Sequence, residues 1–352
     1  MTTSSDSATN THRTLGRSGA VVFEQALGTM TFGAEADETT SHAIIDAYVE
    51  GGGNFIDTAD VYSAGRSEEI IGRWLAAHPS EATQIVLATK GRFPMGSGPN
   101  DLGNSRRHLR TALDASLRRL GVDHIDLYQL HAWDAVTPLD ETLRFLDDAI
   151  TQGKIGYYGF SNFTGWQLTK AALLAERHGW ELPVTLQPQY SLLVRGIEHE
   201  IVPAALDAGL GLLPWSPLGG GWLSGKYRRD VPPTGATRLG ENPDRGMEAW
   251  KRRNADERTW RIIDTVTEIA HRHAASPSQV ALAWLSAQPA VTSVILGARS
   301  VEQLRDNMAA VELVLAPEEL ESLTEVSAPA VDDYPYGEPG VAQRHRKIGG
   351  GR

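Results

Sequence analysis

Four side chains between positions 57 and 131 carry the groups that move a proton to a carbonyl oxygen: Asp57, Tyr62, Lys90 and His131. A tyrosine hydroxyl has an ordinary pKa of about 10, so by itself it is a poor acid or base at neutral pH. A buried lysine ammonium beside it favours the phenolate and is expected to lower that pKa, while an aspartate keeps the lysine charged and oriented. A histidine then donates a hydrogen bond to the oxygen that gains negative charge.

Taken singly, each of these residues has a more ordinary explanation. A lysine at a strand end is usually a solvated surface charge, a lone histidine is usually structural, and a buried aspartate commonly caps a turn. The four become informative together, because Asp57, Lys90 and His131 end three consecutive apolar runs and Tyr62 closely follows the first of these. Parallel strands of a barrel deliver such residues to the same end, where they can converge.

The four groups deliver a proton but no hydride, so the chemistry implies a nicotinamide cofactor. A metal-dependent hydrolase is a weaker interpretation, because His131 and the nearby acids lack a histidine pair at ligand spacing. The chain also has no cysteine, which excludes a thiol nucleophile and a cysteine metal site.

Strand-like and helix-like segments alternate along the chain, and this pattern predicts a single α/β (β/α)8 TIM barrel. The expected strands are Glu24–Leu27, Asn54–Thr58, Gln84–Lys90, Ile125–His131, Ile155–Ser161, Val184–Gln187, Gly211–Trp215 and Ser293–Leu296. The expected helices are Thr39–Glu50, Ser67–Ala77, Ser105–Leu120, Leu139–Thr151, Trp166–His178, Glu198–Ala208, a long region from Asp256 to Gln288, Ser300–Ala310 and Pro317–Val326. A Rossmann sheet competes, but no G-x-G-x-x-G follows the first strand.

Four regions outside this alternation define the expected domain boundaries. Residues 1–12 are predicted to be a disordered tail, and a Ser18-Gly19 turn predicts a small N-terminal hairpin at the start of a barrel domain spanning 13–327. A long polar loop after the seventh strand, from Leu218 to about Arg253, is typical of a lid or of a disordered segment. The C-terminal tail, 328–352, either folds over the barrel mouth or extends freely.

Composition limits the class of protein. The 352 residues carry a formal net charge of -11, and hydrophobic and charged residues make up 41% and 22%, which is typical of a soluble globular protein. The acidic balance argues against nonspecific nucleic-acid binding, and no stretch approaches the roughly 20 apolar residues of a membrane span. The first residues have no apolar core, so we expect a cytoplasmic protein without a signal peptide. The oligomeric state stays open.

Eight ordered motifs carry a family resemblance. They are GTMTFG (Gly28–Gly33), NFIDTADVY, LATK, DLYQLH, GFSNF (Gly159–Phe163), LQPQY (Leu186–Tyr190), PWSPLGGGWLSGKY (Pro214–Tyr227) and ILGARSVEQLRDN (Ile295–Asn307). Over roughly residues 13–326 this sequence resembles the aldo-keto reductases. It is most similar to the bacterial members and to the potassium-channel β-subunits, whose long loop after the seventh strand it shares.

The resemblance implies a role for each matching residue. Tyr62 is the expected general acid, with Asp57, Lys90 and His131 completing a catalytic tetrad. The expected cofactor is NADPH/NADP+, and Trp215 is expected to stack on its nicotinamide ring. The further expected cofactor contacts are Thr29, Met30, Asp57, Ser161, Asn162, Gln187, Ser216, Pro217, Leu218, Gly219, Lys226, Arg238, Gly297, Arg299, Gln303, Asp306 and Asn307. Independently, Arg299 lies between a strand and a helix start, where its charge and the helix N-terminus both favour phosphate.

The expected function is the reversible, NADPH-dependent reduction of an aldehyde or ketone to an alcohol. The alternative is a cofactor-sensing subunit that docks on a partner, as the channel β-subunits do; a histidine at 131, a position occupied differently there, favours a working reductase. Phe93, Trp133 and Trp222 follow strand ends and are the expected pocket walls, joined by Tyr334 and Tyr336 if the tail folds back. Such an aromatic pocket suits sugars, aryl aldehydes, steroids and quinones alike.

Overall fold

A parallel sheet forms the centre of the protein in a computed structural model that describes residues 11–235, 238–244 and 246–344. An antiparallel hairpin of β1 (His12–Thr14) and β2 (Val21–Phe23) precedes it, as predicted. The sheet strands are β3 Gln25–Gly28, β4 Phe55–Asp57, β5 Val86–Gly91, β6 Ile125–Leu130, β7 Ile155–Ser161, β8 Thr185–Gln187, β9 Gly211–Leu212 and β10 Val294–Gly297.

The sheet curls until its two edges meet. Its strand order is β10-β3-β4-β5-β6-β7-β8-β9, with every neighbouring pair parallel. Backbone hydrogen bonds then join the two edges: Thr292, just before β10, donates to the Leu212 carbonyl of β9 at 2.9 Å, and Ile295 of β10 donates to the Pro214 carbonyl just after β9 at 3.0 Å. The predicted (β/α)8 barrel is therefore confirmed. The seventh barrel strand is shorter than predicted, and Pro214 is suited to that end because it has no N–H to donate.

Helices fill the connections between strands. They are α1 Glu38–Glu50, α2 Arg66–Ala77, α3 Pro79–Ala82, α4 Arg106–Leu120, α5 Leu139–Thr151, α6 Gly165–His178, α7 Ile201–Asp207, α8 Arg238–Glu241, α9 Trp250–Asn254, α10 Glu257–Arg272, α11 Pro277–Ser286, α12 Val301–Met308, α13 Pro317–Val326 and α14 Glu338–Arg344. The region predicted as one long helix is divided into α10 and α11. The second starts because the Ser276 hydroxyl accepts from the Gln279 N–H and Pro277 occupies the first helical position.

The inside of the barrel is apolar at the end where the strands begin. It holds a cluster of fully or nearly buried side chains: Leu15, Val22, Ala26, Phe55, Ala88, Leu127, Val184, Leu213 and Ile295. Leu15 and Val22 come from the hairpin, which therefore closes this end of the barrel. The closure is tight at Gly16, because its φ is +55° and a Cβ there would lie 2.0 Å from the Val184 carbonyl oxygen. Polar groups are left to the opposite end.

The long loop after β9 has an aromatic core of its own. Trp222 is fully buried, stacks on Trp250 with ring centroids 5.0 Å apart, and donates its indole N–H to the Glu248 carbonyl. Trp260 of α10 packs edge-on against Trp222 at 5.7 Å. The loop is therefore anchored to the barrel's outer helices by this cluster.

The described part of the C-terminal tail contacts the segment that follows β8. Tyr336 stacks on His199 with ring centroids 4.8 Å apart and donates its hydroxyl to Glu200, while Tyr334 is exposed. Residues 1–10 of the predicted disordered tail, and the basic end of the chain from position 345, lie outside the described residues, and His12 already belongs to β1.

Candidate active site

Three of the four candidate catalytic side chains meet at the carboxyl ends of β4 and β5. The Lys90 ammonium donates to Asp57 Oδ2 at 2.6 Å and to the Thr58 carbonyl at 2.8 Å, and its Nζ lies 3.4 Å from the Tyr62 hydroxyl. Lys90 is completely buried and Asp57 almost so. The ammonium therefore links a carboxylate on one side to a phenol on the other.

The backbone that presents Tyr62 is strained. Tyr62 starts one turn of 3-10 helix, and the next two residues adopt left-handed conformations, with φ of +50° at Ser63 and +55° at Ala64. Such conformations cost about 1–3 kcal/mol each for residues other than glycine and are concentrated at functional sites. The Ser63 hydroxyl compensates in part by donating to the Phe32 carbonyl at 2.8 Å.

Asp57 is the common acceptor of the polar cluster. Its second oxygen, Oδ1, accepts from Gln129 Nε2 at 3.0 Å and from Gln187 Nε2 at 2.9 Å. The carboxylate thus receives hydrogen bonds from β5, β6 and β8. Gln129 was missed from the sequence, although a glutamine inside the apolar run of β6 is the kind of buried polar residue that signals a site.

Burial and the neighbouring charges shift the pKa values of Lys90 and Tyr62 in opposite directions. Burial by itself lowers the pKa of Lys90, but the charges and hydrogen bonds of Asp57 and Tyr62 outweigh it and raise the pKa above its ordinary value. Burial raises the pKa of Tyr62, and although Lys90 opposes it, the net pKa is above the ordinary value. The lowered Tyr62 pKa expected from Lys90 alone is therefore wrong in its net direction, because desolvation penalises the phenolate more than Lys90 favours it.

His131 completes the arrangement as a neutral group. Its ring meets the Tyr62 ring edge-on at 5.8 Å and the Phe93 ring at 4.6 Å. Burial, with smaller contributions from Lys90 and Arg92, lowers the pKa of His131 to about 2. The imidazole is therefore uncharged at any working pH and acts through a single N–H donor.

A second group of predicted residues lies beside His131. Asn162 Nδ2 donates to the His131 carbonyl at 3.0 Å, and the Ser161 hydroxyl donates to the Gln187 carbonyl at the same distance. Trp215 is half-buried and donates its indole N–H to Asn162 Oδ1 at 3.1 Å. These contacts fix the flat indole at the rim of the barrel next to the tetrad.

The chain after Trp215 forms a curved backbone. Ser216 and Gly219 have φ of +55° and +56°, and Gly220 and Gly221 continue in positive φ. The Gly219 and Gly221 N–H groups donate to the Ser216 and Leu218 carbonyls at 3.0 Å each, so the chain turns tightly here at the rim of the barrel. Of the other residues predicted here, Pro217 is buried, Leu218 packs partly against the core, and the Lys226 ammonium lies 5.2 Å from the centre of the Tyr227 ring.

Arg299 lies directly before α12, whose N-cap is Ser300. Its backbone N–H donates to Gln303 Oε1 at 3.0 Å, and its guanidinium lies 3.4 Å from Glu241 and 3.8 Å from Glu35. The cation therefore projects into the gap between α12 and the long loop. The neighbouring Gly297 is exposed at the end of β10.

The remaining predicted cofactor residues divide between buried and surface positions. Asp306 already accepts from Ser276 and from Gln279 Nε2, each at 3.0 Å. Asn307 and Thr29 are buried, and Met30 is exposed. Of Arg238, only the backbone in α8 is described, and its side chain lies outside the described residues.

Two of the three aromatic residues predicted as pocket walls lie near the tetrad. Phe93 contacts His131, and Trp133 meets Phe163 edge-on at 5.3 Å at the same end of the barrel. Trp222 does not line a wall, because its ring is fully buried in the core of the long loop.

Asp60 is a further buried carboxyl next to the tetrad. Its backbone N–H donates to the Lys90 carbonyl at 3.0 Å, and neither carboxyl oxygen has a well-formed hydrogen bond to another described residue. Burial, reinforced by the Glu68 carboxylate, raises the pKa of Asp60 to about 7. Glu68 itself is bonded to Thr89 and Arg119, at 2.6 Å each, so it stays a fixed negative neighbour.

We expect the Asp60→Asn variant to be more stable than the wild type at pH 8 and not at pH 4. The folded Asp60 pKa of about 7 exceeds the ordinary value of 3.8, so the folded protein holds the proton more tightly and stability falls as pH rises between these values. The shift corresponds to about 4 kcal/mol, and leaving an amide unpaired costs about 1–3 kcal/mol, so the net gain is about 1–3 kcal/mol.

Urea unfolding at both pH values measures the difference, with Asp123→Asn at an exposed site as the matched control. An equal change in the unfolding midpoint at pH 4 and pH 8 contradicts the assignment of a raised pKa.

Comparison with known proteins agrees with this architecture. The model of the Aldo/keto reductase family matches residues 26–328. The chain is 40% identical over 320 residues to the "Uncharacterized oxidoreductase YrpG" of Bacillus subtilis, covering 89% of this chain and 94% of the relative. It is 36% identical over 319 residues to a "Probable voltage-gated potassium channel subunit beta" of Oryza sativa, covering 90% and 96%. It is 34% identical over 338 residues to the "Versiconal hemiacetal acetate reductase" of Aspergillus parasiticus, covering 90% and 96%.

No helix in the described ranges combines the length and apolar character needed to cross a bilayer. Within the same ranges, no three histidine or acidic side chains are grouped so that they could hold a metal ion.

Proposed function

Because the chain belongs to the Aldo/keto reductase family of oxidoreductases, we propose that it reduces an aldehyde or ketone to an alcohol, reversibly, with NADPH as the cofactor. The observation that carries the proposal is the contact between buried Lys90 and Asp57, with the Tyr62 hydroxyl 3.4 Å from the same ammonium and His131 beside it. This arrangement can donate a proton to a carbonyl oxygen and stabilise the charge left behind.

The residues around the tetrad fit a nicotinamide dinucleotide. The half-buried Trp215 presents a flat ring fixed by Asn162, and the glycines from Gly219 to Gly221 have no side chains to keep a pyrophosphate away from the backbone. Arg299 offers a cation to a further phosphate. NADPH bound there supplies the hydride that no side chain of the chain can provide.

Each residue of the tetrad has its own role in the proton transfer. Tyr62 holds a proton at neutral pH, because burial raises its pKa, and donates it to the carbonyl oxygen. Lys90 stabilises the phenolate that this leaves, and Asp57 keeps the ammonium charged and in place. His131 is neutral and donates a hydrogen bond to the same oxygen as it gains negative charge.

A screen of aldehydes and ketones tests the proposal by following the absorbance of NADPH. Turnover must require the added carbonyl compound and must be lost in the Tyr62→Phe variant, which serves as the blank. No consumption of NADPH with any of a broad set of aryl, aliphatic and sugar aldehydes contradicts the proposal.

A cofactor-sensing subunit is the second candidate, and the 36% identity to the probable potassium channel subunit of Oryza sativa favours it. Steady-state turnover separates the two functions, because a sensor binds NADPH but passes through few catalytic cycles. A pull-down with membrane extracts then looks for a retained partner.

We expect the Arg299→Ala variant to weaken binding of NADPH far more than binding of NADH. A guanidinium that meets the 2′-phosphate forms a charge-assisted hydrogen bond, and its loss costs about 1.5–3 kcal/mol, or about 10- to 150-fold in Kd. Fluorescence titration with each dinucleotide measures the two dissociation constants.

The control variant is Arg305→Ala, which removes an exposed arginine from α12, the helix that follows Arg299, where it pairs with Glu50 at 3.4 Å. If Arg299→Ala weakens NADPH and NADH by the same factor, Arg299 has no part in recognising the 2′-phosphate.

A further inference from the structure

Arg92 has an unusual backbone conformation at the edge of the candidate site. It follows Gly91, the last residue of β5, and lies two positions after Lys90. Its φ is +132°, a value that residues with a Cβ rarely adopt, and its carbonyl accepts from the Gly103 N–H at 2.8 Å. A strained non-glycine residue persists only where the surroundings enforce it, and such residues are concentrated at ligand-binding sites.

The guanidinium of Arg92 has few partners for a group with five N–H donors. Nη2 donates to the Trp133 carbonyl at a long 3.4 Å, and the group lies 5.1 Å from the centre of the Phe93 ring. Nε is buried and has no hydrogen-bond partner among the described residues. A buried donor left in this way costs about 1–3 kcal/mol, so it is expected to meet a ligand or ordered water.

Other buried or half-buried arginines of the chain are paired differently. Four of them have a carboxylate within 2.6–2.7 Å, in the pairs Arg13–Glu24, Arg119–Glu68, Arg195–Glu198 and Arg253–Glu248. Of the other two that the structure describes, Arg299 lies 3.4 Å from Glu241, and Arg258 donates to the Ser327 and Ala328 carbonyls. Among the described residues no carboxylate forms such a pair with Arg92. At the end of the barrel that holds the tetrad, the positive charge of Arg92 is therefore not neutralised at contact distance by any carboxylate of the described residues.

Arg92 lies close to His131, next to which the reacting carbonyl group is proposed to bind. The Phe93 ring contacts both groups, with its centroid 5.1 Å from the guanidinium of Arg92 and 4.6 Å from the imidazole centroid of His131. Arg92 is close enough to contribute to the lowered pKa of His131. A molecule whose carbonyl oxygen meets Tyr62 and His131 can therefore extend a second group toward Arg92.

We propose that Arg92 selects carbonyl substrates that carry an anionic group, a carboxylate in the first instance, by pairing with that group at the rim of the site. The inference rests on the proposed reductase function and deepens it by naming the class of substrate. Arginine suits this role because its planar fork donates hydrogen bonds to both oxygens of a carboxylate at once. Arg92 acts on binding and not on the proton transfer, which stays with Tyr62.

The test compares two aldehydes that differ in charge and little in shape: para-carboxybenzaldehyde and its methyl ester. Each is reduced with NADPH by the wild type and by Arg92→Met, which keeps the length of the side chain and removes its charge. We expect kcat/KM for the carboxylate to fall about 10- to 100-fold, mainly through KM, and that for the ester to stay within about threefold. Arg92→Lys should recover part of the loss.

The matched control is Arg110→Met, which removes an exposed arginine from α4. It must leave both aldehydes unaffected, so that loss of charge in general is separated from loss of this charge. Arg92→Gly adds a variant that relieves the positive φ, so it folds at least as well as the wild type and should show the same loss of carboxylate preference.

Each outcome decides a different question. A wild type that reduces both aldehydes, with Arg92→Met changing neither or lowering both equally, overturns the substrate assignment and leaves the proposed reductase intact. A wild type that reduces neither these aldehydes nor any member of the broader screen overturns the reductase function and the inference together. A selective loss for the carboxylate in both Arg92→Met and Arg92→Gly supports the inference.

Discussion

We expect the Tyr62→Phe variant to lose carbonyl reduction and to keep its affinity for NADPH. A positioned general acid typically contributes about 10²–10⁴-fold to the rate, and phenylalanine offers no proton at that position. The ring itself should stay in place, because its edge contact with His131 at 5.8 Å and its contact with the Lys90 ammonium at 5.0 Å do not need the hydroxyl. Turnover numbers and fluorescence titration with NADPH measure the two properties separately.

Tyr157→Phe is the matched control for this experiment, because Tyr157 is a half-buried tyrosine on β7. It should leave both turnover and NADPH binding unchanged. Full activity in Tyr62→Phe removes the phenol from the mechanism, and loss of NADPH binding in that variant shows that the substitution has disturbed the site more widely.

The Lys90→Met variant is expected to lose both activity and stability. Removing one partner of a buried ion pair leaves the other charge without compensation and costs about 3–5 kcal/mol. Here the remaining group is the Asp57 carboxylate, which keeps only the neutral donors Gln129 and Gln187 at 3.0 and 2.9 Å. Urea unfolding, read together with turnover, measures both losses.

A double variant separates the two consequences. Asp57→Asn combined with Lys90→Met removes both charges, and the asparagine oxygen can still accept from both glutamines. Since a neutral buried pair avoids the cost of desolvating ions, stability should return to within about 1–2 kcal/mol of the wild type, while activity stays lost. A double variant no more stable than Lys90→Met shows that the uncompensated carboxylate is not the cause of the loss.

The barrel could be predicted because each of its strands appears in the sequence as an apolar run followed by polar residues. Strand β7 is found at Ile155–Ser161 and helix α5 at Leu139–Thr151, as predicted from the sequence. The meeting of Asp57 and Lys90 follows from the topology as well, since neighbouring parallel strands end side by side. Gln187, farther along the chain, ends a predicted strand in the same way, whereas Gln129 lies inside an apolar run and was missed.

Properties that depend on burial and on packing between distant segments could not be predicted from the sequence. The net direction of the Tyr62 pKa reflects how much water burial removes, which no local pattern records. Phe93, Trp133 and Trp222 carry the same signal, an aromatic residue after a strand, and only the packing of the long loop places Trp222 in its core. The positive φ of Arg92 likewise has no sequence signature, because arginine is not a residue that this conformation favours.

The hairpin closes the barrel at the end where the strands begin, and this closure shapes the electrostatic field at the opposite end. Leu15 and Val22 fill that end with hydrocarbon, which polarises weakly, whereas the mouth borders water. Low-dielectric walls focus a field, so the attraction exerted by Arg92 is concentrated outward through the opening, whereas the charge of Lys90 is balanced by Asp57. A protein with a formal charge of -11 can thus repel anions over most of its surface and still collect them at one spot.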